Sequence, residues 1–181
     1  MSPELTKKLI SSYPKIFGDV NKPVTESLMG FGLECGDGWF DIIDNACWLI
    51  QDYINNNRKN KATALKHNRF LRRVIKGEIT TTEYFKRYYV LHRDQDAFIK
   101  YPPSFFRIVQ ETMPQFCLVQ VKEKFGTLRL YGKAPSFDSY IGGVLRMAEA
   151  MSAVTCEMCG KPGKPTSGNW VKVRCEDCKD V

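Results

Sequence analysis

No apolar run in the chain approaches the roughly 20 residues that a membrane-spanning helix needs, so no membrane partner is expected. The opening stretch MSPELTKKLISSYPKIF has no continuous apolar core and no small-residue cleavage site, which argues against a secretory signal there. Cytoplasmic residence is the expectation. No GxSxG, Walker loop, HExxH or dinucleotide fingerprint occurs. "HRDQD" at 92–96 contains a kinase-like HRD, but the asparagine at the required offset, the glycine-rich loop and the DFG are missing. His92, Asp94 and Asp96 have no spaced metal-ligating partner. No internal repeat and no low-complexity tract is found.

Acidic residues are missing from one long segment. Between 58 and 76 the chain carries Arg58, Lys59, Lys61, Lys66, Arg69, Arg72, Arg73 and Lys76 and no Asp or Glu. Residues 58–100 carry 12 Lys/Arg against 4 Asp/Glu, whereas residues 1–57 carry 4 against 8, so the net charge of +7 is concentrated in the middle. Clustered cations of this kind suit phosphate neutralisation, and equally a solvated helix face. Lys122, Lys124 and Arg129 extend the candidate surface. Tyr84, Tyr88 and Tyr89 at helical spacing are read as core and rim rather than as base-stacking groups, and His67 as a surface residue.

Of 7 cysteines, Cys35, Cys47 and Cys117 are scattered among apolar residues, and the other four form CxxC, fifteen residues, CxxC. Cys156, Cys159, Cys175 and Cys178 thus have the spacing of a tetrahedral four-thiolate zinc site. Four protein ligands close the coordination sphere, so the expected zinc is structural. A redox CxxC would open a helix and would need only one pair. In this C-terminal ribbon Lys161, Lys164, Lys172 and Arg174 are nearly cancelled by Glu157, Glu176, Asp177 and Asp180. Trp170 is expected to pack the ribbon on the rest of the chain.

Local signals complete the outline. Ser2-Pro3-Glu4 reads as a helix start, and Pro14 as its end. Phe40, Ile43, Cys47, Ile50 and Ile54 recur at helical spacing and predict a buried helix over 38–56, ended by Asn55-Asn56-Asn57. A basic helix to Gly77 follows. A third long helix has a capping box at Thr80 and Glu83. Strands near 115–122 and 127–132 form a hairpin around a turn at Glu123 to Gly126. Pro135 and Ser136 lead into a helix over 137–153. The fold class expected is α+β: helices around a small antiparallel hairpin or sheet, closed by a C-terminal zinc ribbon. The outline is a body over 1–153, with a basic elaboration at 58–100, and a ribbon over 154–181.

One acidic stretch stands apart. "GFGLECGDGWFDIID" at 30–44 holds Glu34, Asp37, Asp41 and Asp44. Glu34, Asp37 and Asp41 are the candidate carboxylates of a small metal-dependent hydrolase or nuclease. The simpler reading makes Asp37 the N-cap of the following helix and leaves the others in water. "ECGDGWFDIID", "QVKEKFGTLRLY" and "MAEAMSAVTCEMCGKPG" occur in this order. Together they resemble a family of small bacteriophage and prophage proteins of uncharacterised activity, over roughly residues 5–55 and 110–178. The resemblance implies a phage-encoded protein made in a bacterial cytoplasm and brings no activity with it. The favoured function is non-enzymatic binding, through the basic face, of nucleic acid or of a host or defence complex that handles it. The alternatives are a purely protein-binding inhibitor of a host or defence enzyme, and the small hydrolase.

Overall fold

The computed structural model describes residues 1–133, 138–167 and 170–180. The fold is α+β. The chain divides into two compact units, Met1–Ile54 with Pro114–Val181, and Asn55–Met113.

The first unit begins with α1 (Pro3–Ser12), with proline in its first turn. Its N-cap Ser2 makes no side-chain cap; the Ser2 N–H instead donates to Asp37 Oδ1 at 2.6 Å. Leu9, Ile16 and Phe17 are buried, and the loop after α1 is pinned by the Leu118 N–H donating to the Ile16 carbonyl at 2.8 Å. The buried Asp19 carboxylate takes Lys22 at 2.7 Å and Lys133 at 3.0 Å, and both hold it below the usual carboxylate range. β1 (Leu33–Glu34) was not evident in the sequence, because two residues carry no readable alternation. It pairs parallel with β2 (Cys117–Lys124), which pairs antiparallel with β3 (Thr127–Lys133), giving the order β1-β2-β3. The hairpin expected over 115–132 is formed. Its two-residue loop, Phe125-Gly126, has φ of 54° and 76°, the pattern of a type I′ turn. α5 (Ser139–Ser152) is capped by Asp138, whose carboxylate accepts from the Tyr140 and Ile141 N–H groups. The expected contribution of Pro135 and Ser136 lies outside the described residues. β4 (Lys164–Pro165) and β5 (Val173–Arg174) form a separate two-stranded ribbon.

α2 is one 36-residue helix, Phe40–Ile75. The stop expected at Asn55-Asn56-Asn57 does not occur. Asparagine costs only a few tenths of a kcal/mol relative to alanine in a helix, far less than proline. Asn57 also has a tertiary role, its Oδ1 accepting from the Met113 N–H at 2.8 Å.

The second unit holds the part of α2 after Ile54, then α3 (Thr81–Tyr88) and α4 (His92–Lys100). The capping box at Thr80 and Glu83 is formed. The helix it opens is short, not long: Tyr89 takes a left-handed conformation at φ 52° and ends it. Leu71, Val74, Tyr84 and Phe98 form the core of this unit. His67 is buried rather than at the surface, with Nε2 2.9 Å from the Tyr84 hydroxyl and Nδ1 3.3 Å from Asn68 Oδ1. Asn68 in turn clamps the Arg107 backbone, donating to its carbonyl and accepting from its N–H, each at 2.8 Å. Tyr84 is core, Tyr88 is half-buried and Tyr89 is exposed.

Candidate metal centre and basic stripe

Cys156 and Cys159 sit on the turn that follows α5. The Gly160 N–H donates to the Cys156 carbonyl at 2.9 Å, and Gly160 has φ 77°, a left-handed conformation that glycine adopts without strain. β5 returns the chain so that Cys175 and Cys178 face the first pair, with the Glu157 N–H donating to the Val173 carbonyl at 3.1 Å. The four sulfurs lie within 4.8 Å of one another, and the Cys159 and Cys175 sulfurs are 3.5 Å apart. All four thiols are free of disulfides. A tetrahedral ion with metal–sulfur bonds of about 2.3 Å needs sulfurs about 3.8 Å apart, so the cage fits a metal ion. Burial pushes the Cys156 thiol up, but backbone N–H groups of Cys159, Cys175 and Met158 outweigh it and bring it down to about 6.

The GDGW stretch is the seat of this cage. A Cβ at Gly38 would collide with the Cys156 carbonyl oxygen, and one at Gly36 with the Glu157 carbonyl oxygen. The Gly38 N–H donates to the Glu157 carbonyl at 2.8 Å. The Gly36 N–H donates to Glu157 Oε1 at 3.1 Å, and the Trp39 indole N–H to the Thr155 carbonyl at 2.9 Å. Trp39 is fully buried. It is the aromatic anchor that Trp170 was expected to be; Trp170 is 75% exposed. Glu157, read in the sequence as one of several ribbon charges, is buried and pairs with Arg174 at 3.1 Å. Its spacing from Gly36 and Gly38, more than a hundred residues, hid this role.

Asp37 does not cap α2. Gly36 stands at the N-cap of a short 3-10 turn, Asp37–Trp39, and Asp37 accepts from Ser2. The N-terminal ammonium donates to the Leu33 and Cys35 carbonyls beside it. Asp44 takes the Tyr13 hydroxyl, whose pKa burial and that carboxylate raise to about 12. Glu34 and Asp41 are exposed. Among the described residues the four cysteines are the single group of three or more His, Cys, Asp or Glu with ligand atoms in reach of one ion, so Glu34, Asp37 and Asp41 are not gathered into such a group.

The basic residues of α2 separate into two sets. Lys59, Lys66, Arg69 and Arg73 on α2, and Lys76 just past its end, whose N–H still donates to the Arg72 carbonyl at 3.0 Å, are exposed and recur at intervals of seven, three, four and three, which places them along one side. At 1.5 Å per residue the stripe runs about 25 Å. Arg73 pairs with Glu78 at 3.0 Å, and the other four have no salt bridge among the described residues. Arg58, Lys61 and Arg72 are engaged within the unit, with the Met113 carbonyl, the Thr112 hydroxyl and the Phe106 ring. Residues 55–113 carry 13 Lys/Arg against 5 Asp/Glu, a net of +8, while the rest of the chain carries 14 against 15, a net of −1. Lys122, Lys124 and Arg129 share one face of the β2–β3 hairpin by register, but Arg129 is held by Glu149 at 2.6 Å. Comparison of the chain with protein-family models, with curated proteins and with solved structures finds no match. No helix among the described residues is long and apolar enough to cross a membrane.

Proposed function

We propose that this is a non-enzymatic zinc protein that binds nucleic acid through the exposed stripe Lys59, Lys66, Arg69, Arg73 and Lys76. The observation that carries the reading is that stripe, acid-free along its length and set in a unit of net charge +8. Cations fixed along a rigid helix neutralise successive phosphates and release their counterions, a gain that does not depend on base sequence. Zinc is the ion that four thiolates in a closed tetrahedral set favour, and with no open position it stabilises the ribbon rather than activating water. The resemblance to the phage family supports a phage-encoded protein working in a bacterial cytoplasm, on nucleic acid itself or on a complex that handles it.

A second reading, a protein-binding inhibitor of a host or defence enzyme, draws on a different feature. An apolar groove of about 530 Å³ runs between α2 and α5, lined by Ile42, Ala46, Leu49, Val144, Met147 and Met151. Exposed Asp41 stands next to the lining residue Ile42 on α2. The chemistry suits an apolar helix with basic flanks. Fluorescence anisotropy of zinc-loaded protein with short single- and double-stranded DNA and RNA tests the first reading. Tight binding at low salt that weakens steeply near physiological salt is expected; no binding at low salt would overturn it and leave the second.

A further inference from the structure

We propose that the edge formed by the β2–β3 hairpin and the ribbon is a base-stacking site for single-stranded nucleic acid. This rests on the nucleic-acid reading but uses a surface in the other unit, distinct from the basic stripe. Three half-exposed or exposed aromatic rings lie along this edge, and each carries a lysine ammonium over one face. Lys122 is 5.7 Å from the centroid of Tyr131, Lys124 is 5.2 Å from that of Phe125, and Lys172 is 5.8 Å from that of Trp170. Tyr131 is 41% exposed, and Phe125 and Trp170 are each 75% exposed. Phe125 and Trp170 line one cleft of about 280 Å³ together with Glu123, Lys124 and Val171. Among the described residues the two rings make no aromatic contact with each other.

Two independent features favour a ligand over an incidental surface. The first is conformational. Phe125 occupies the first central position of the type I′ turn at φ 54°, where glycine or asparagine is relaxed and a bulky side chain is strained. The strain gains no burial in return, since the ring stands in solvent. Strain held at an exposed aromatic is the pattern of a site kept for contact with another molecule. The second is chemical. Each ring has a lysine beside it, and the pairing suits a strand in which every base is accompanied by a phosphate. Lys124 is exposed and has no salt bridge among the described residues, so it is the phosphate partner here, whereas Lys172 is already paired with Glu123 at 2.9 Å and Glu157 at 3.8 Å and fixes the Trp170 ring. A duplex keeps its bases paired and stacked, so the occupant is a single strand.

The test compares a short oligothymidylate with an abasic oligomer of equal length, each titrated against the zinc-loaded full chain. The abasic strand keeps every phosphate and lacks every base. Oligothymidylate is expected to bind roughly tenfold or more tighter, the size that one or two stacked bases supply. Trp170→Ala and Phe125→Gly are each expected to remove most of that difference and leave abasic binding unchanged. Phe125→Gly relaxes the turn, so it is expected to melt no lower than the parent while binding bases less well, a combination that a purely structural role for Phe125 does not produce. Equal binding of the two oligomers would overturn the stacking site and leave the stripe intact. Binding of neither would overturn the nucleic-acid reading, and this proposal with it. A base preference that survives both substitutions would also overturn it.

Discussion

The indole N–H of Trp39 donates to the carbonyl of Thr155 at 2.9 Å, one residue before the first cysteine of the metal cage. The opening of α2 and the ribbon are thereby one structural device. Gly38 shows how tight the fit is: a Cβ there would meet the Cys156 carbonyl and the Cys159 and Gly160 amides, all backbone. Backbone cannot move aside as a flexible side chain can. Gly38→Ala is expected to lower zinc affinity at least tenfold and to lower the melting temperature. Competition with a chromophoric chelator, beside thermal melts, measures both.

Glu157 carries a different load. Its carboxylate accepts from the Gly36 N–H and pairs with Arg174, and both side chains of the pair are nearly buried, at 7% and 10% exposed. Lys172 stands 3.8 Å away. Removing one member of a buried pair leaves the other charge without compensation, a loss of about 3–5 kcal/mol. Glu157→Ala is expected to fall in that range by urea denaturation, and Glu157→Gln to lose less, because its amide oxygen still accepts from Gly36.

An ion held by the four cysteines is expected to contribute to the folding of the ribbon. Cobalt substitution is expected to give thiolate-to-metal charge transfer and the strong visible bands of a tetrahedral site. A chelator is expected to abolish them and to lower the melting temperature. Cys159→Ser should weaken cobalt binding and alter the charge-transfer band. Unchanged melting on chelation would contradict the structural role of the ion.

His67 predicts a pH response. Burial lowers its pKa below the ordinary 6.5, with the Arg107 charge adding to the effect and the Asn68 hydrogen bond opposing it. The folded chain therefore holds this imidazole neutral where the unfolded chain protonates it. Its contribution to stability is complete above the unfolded value and is lost as pH falls below about 6.5 toward the lowered folded value. Urea midpoints are expected to drop between pH 7 and pH 5, and His67→Gln to flatten that drop.

Local chemistry was legible in the sequence, and long-range chemistry was not. The cysteine spacing, the Thr80–Glu83 capping box and the β-branched and aromatic residues around the Glu123–Gly126 turn are each set within a few positions, and the structure forms all three. The basic stripe was visible as composition, but which of its members face solvent depended on residues 105–113 folding back onto α2. Trp39 and Glu157 looked like a helix residue and a surface charge, because their partners lie at the other end of the chain. The three asparagines looked like a stop because they favour turns, and tertiary contacts outweighed that preference.

The exposed stripe on α2 is proposed to neutralise phosphates. The slope of log affinity against log salt measures this directly, since each contact contributes about one unit of slope or slightly less. Lys66 and Arg69 are exposed and have no salt bridge among the described residues, so replacing them leaves the core untouched. Lys66→Gln with Arg69→Gln is expected to reduce the slope by about two units on both DNA and RNA, with the melting temperature unchanged. A slope equal to that of the parent would contradict it.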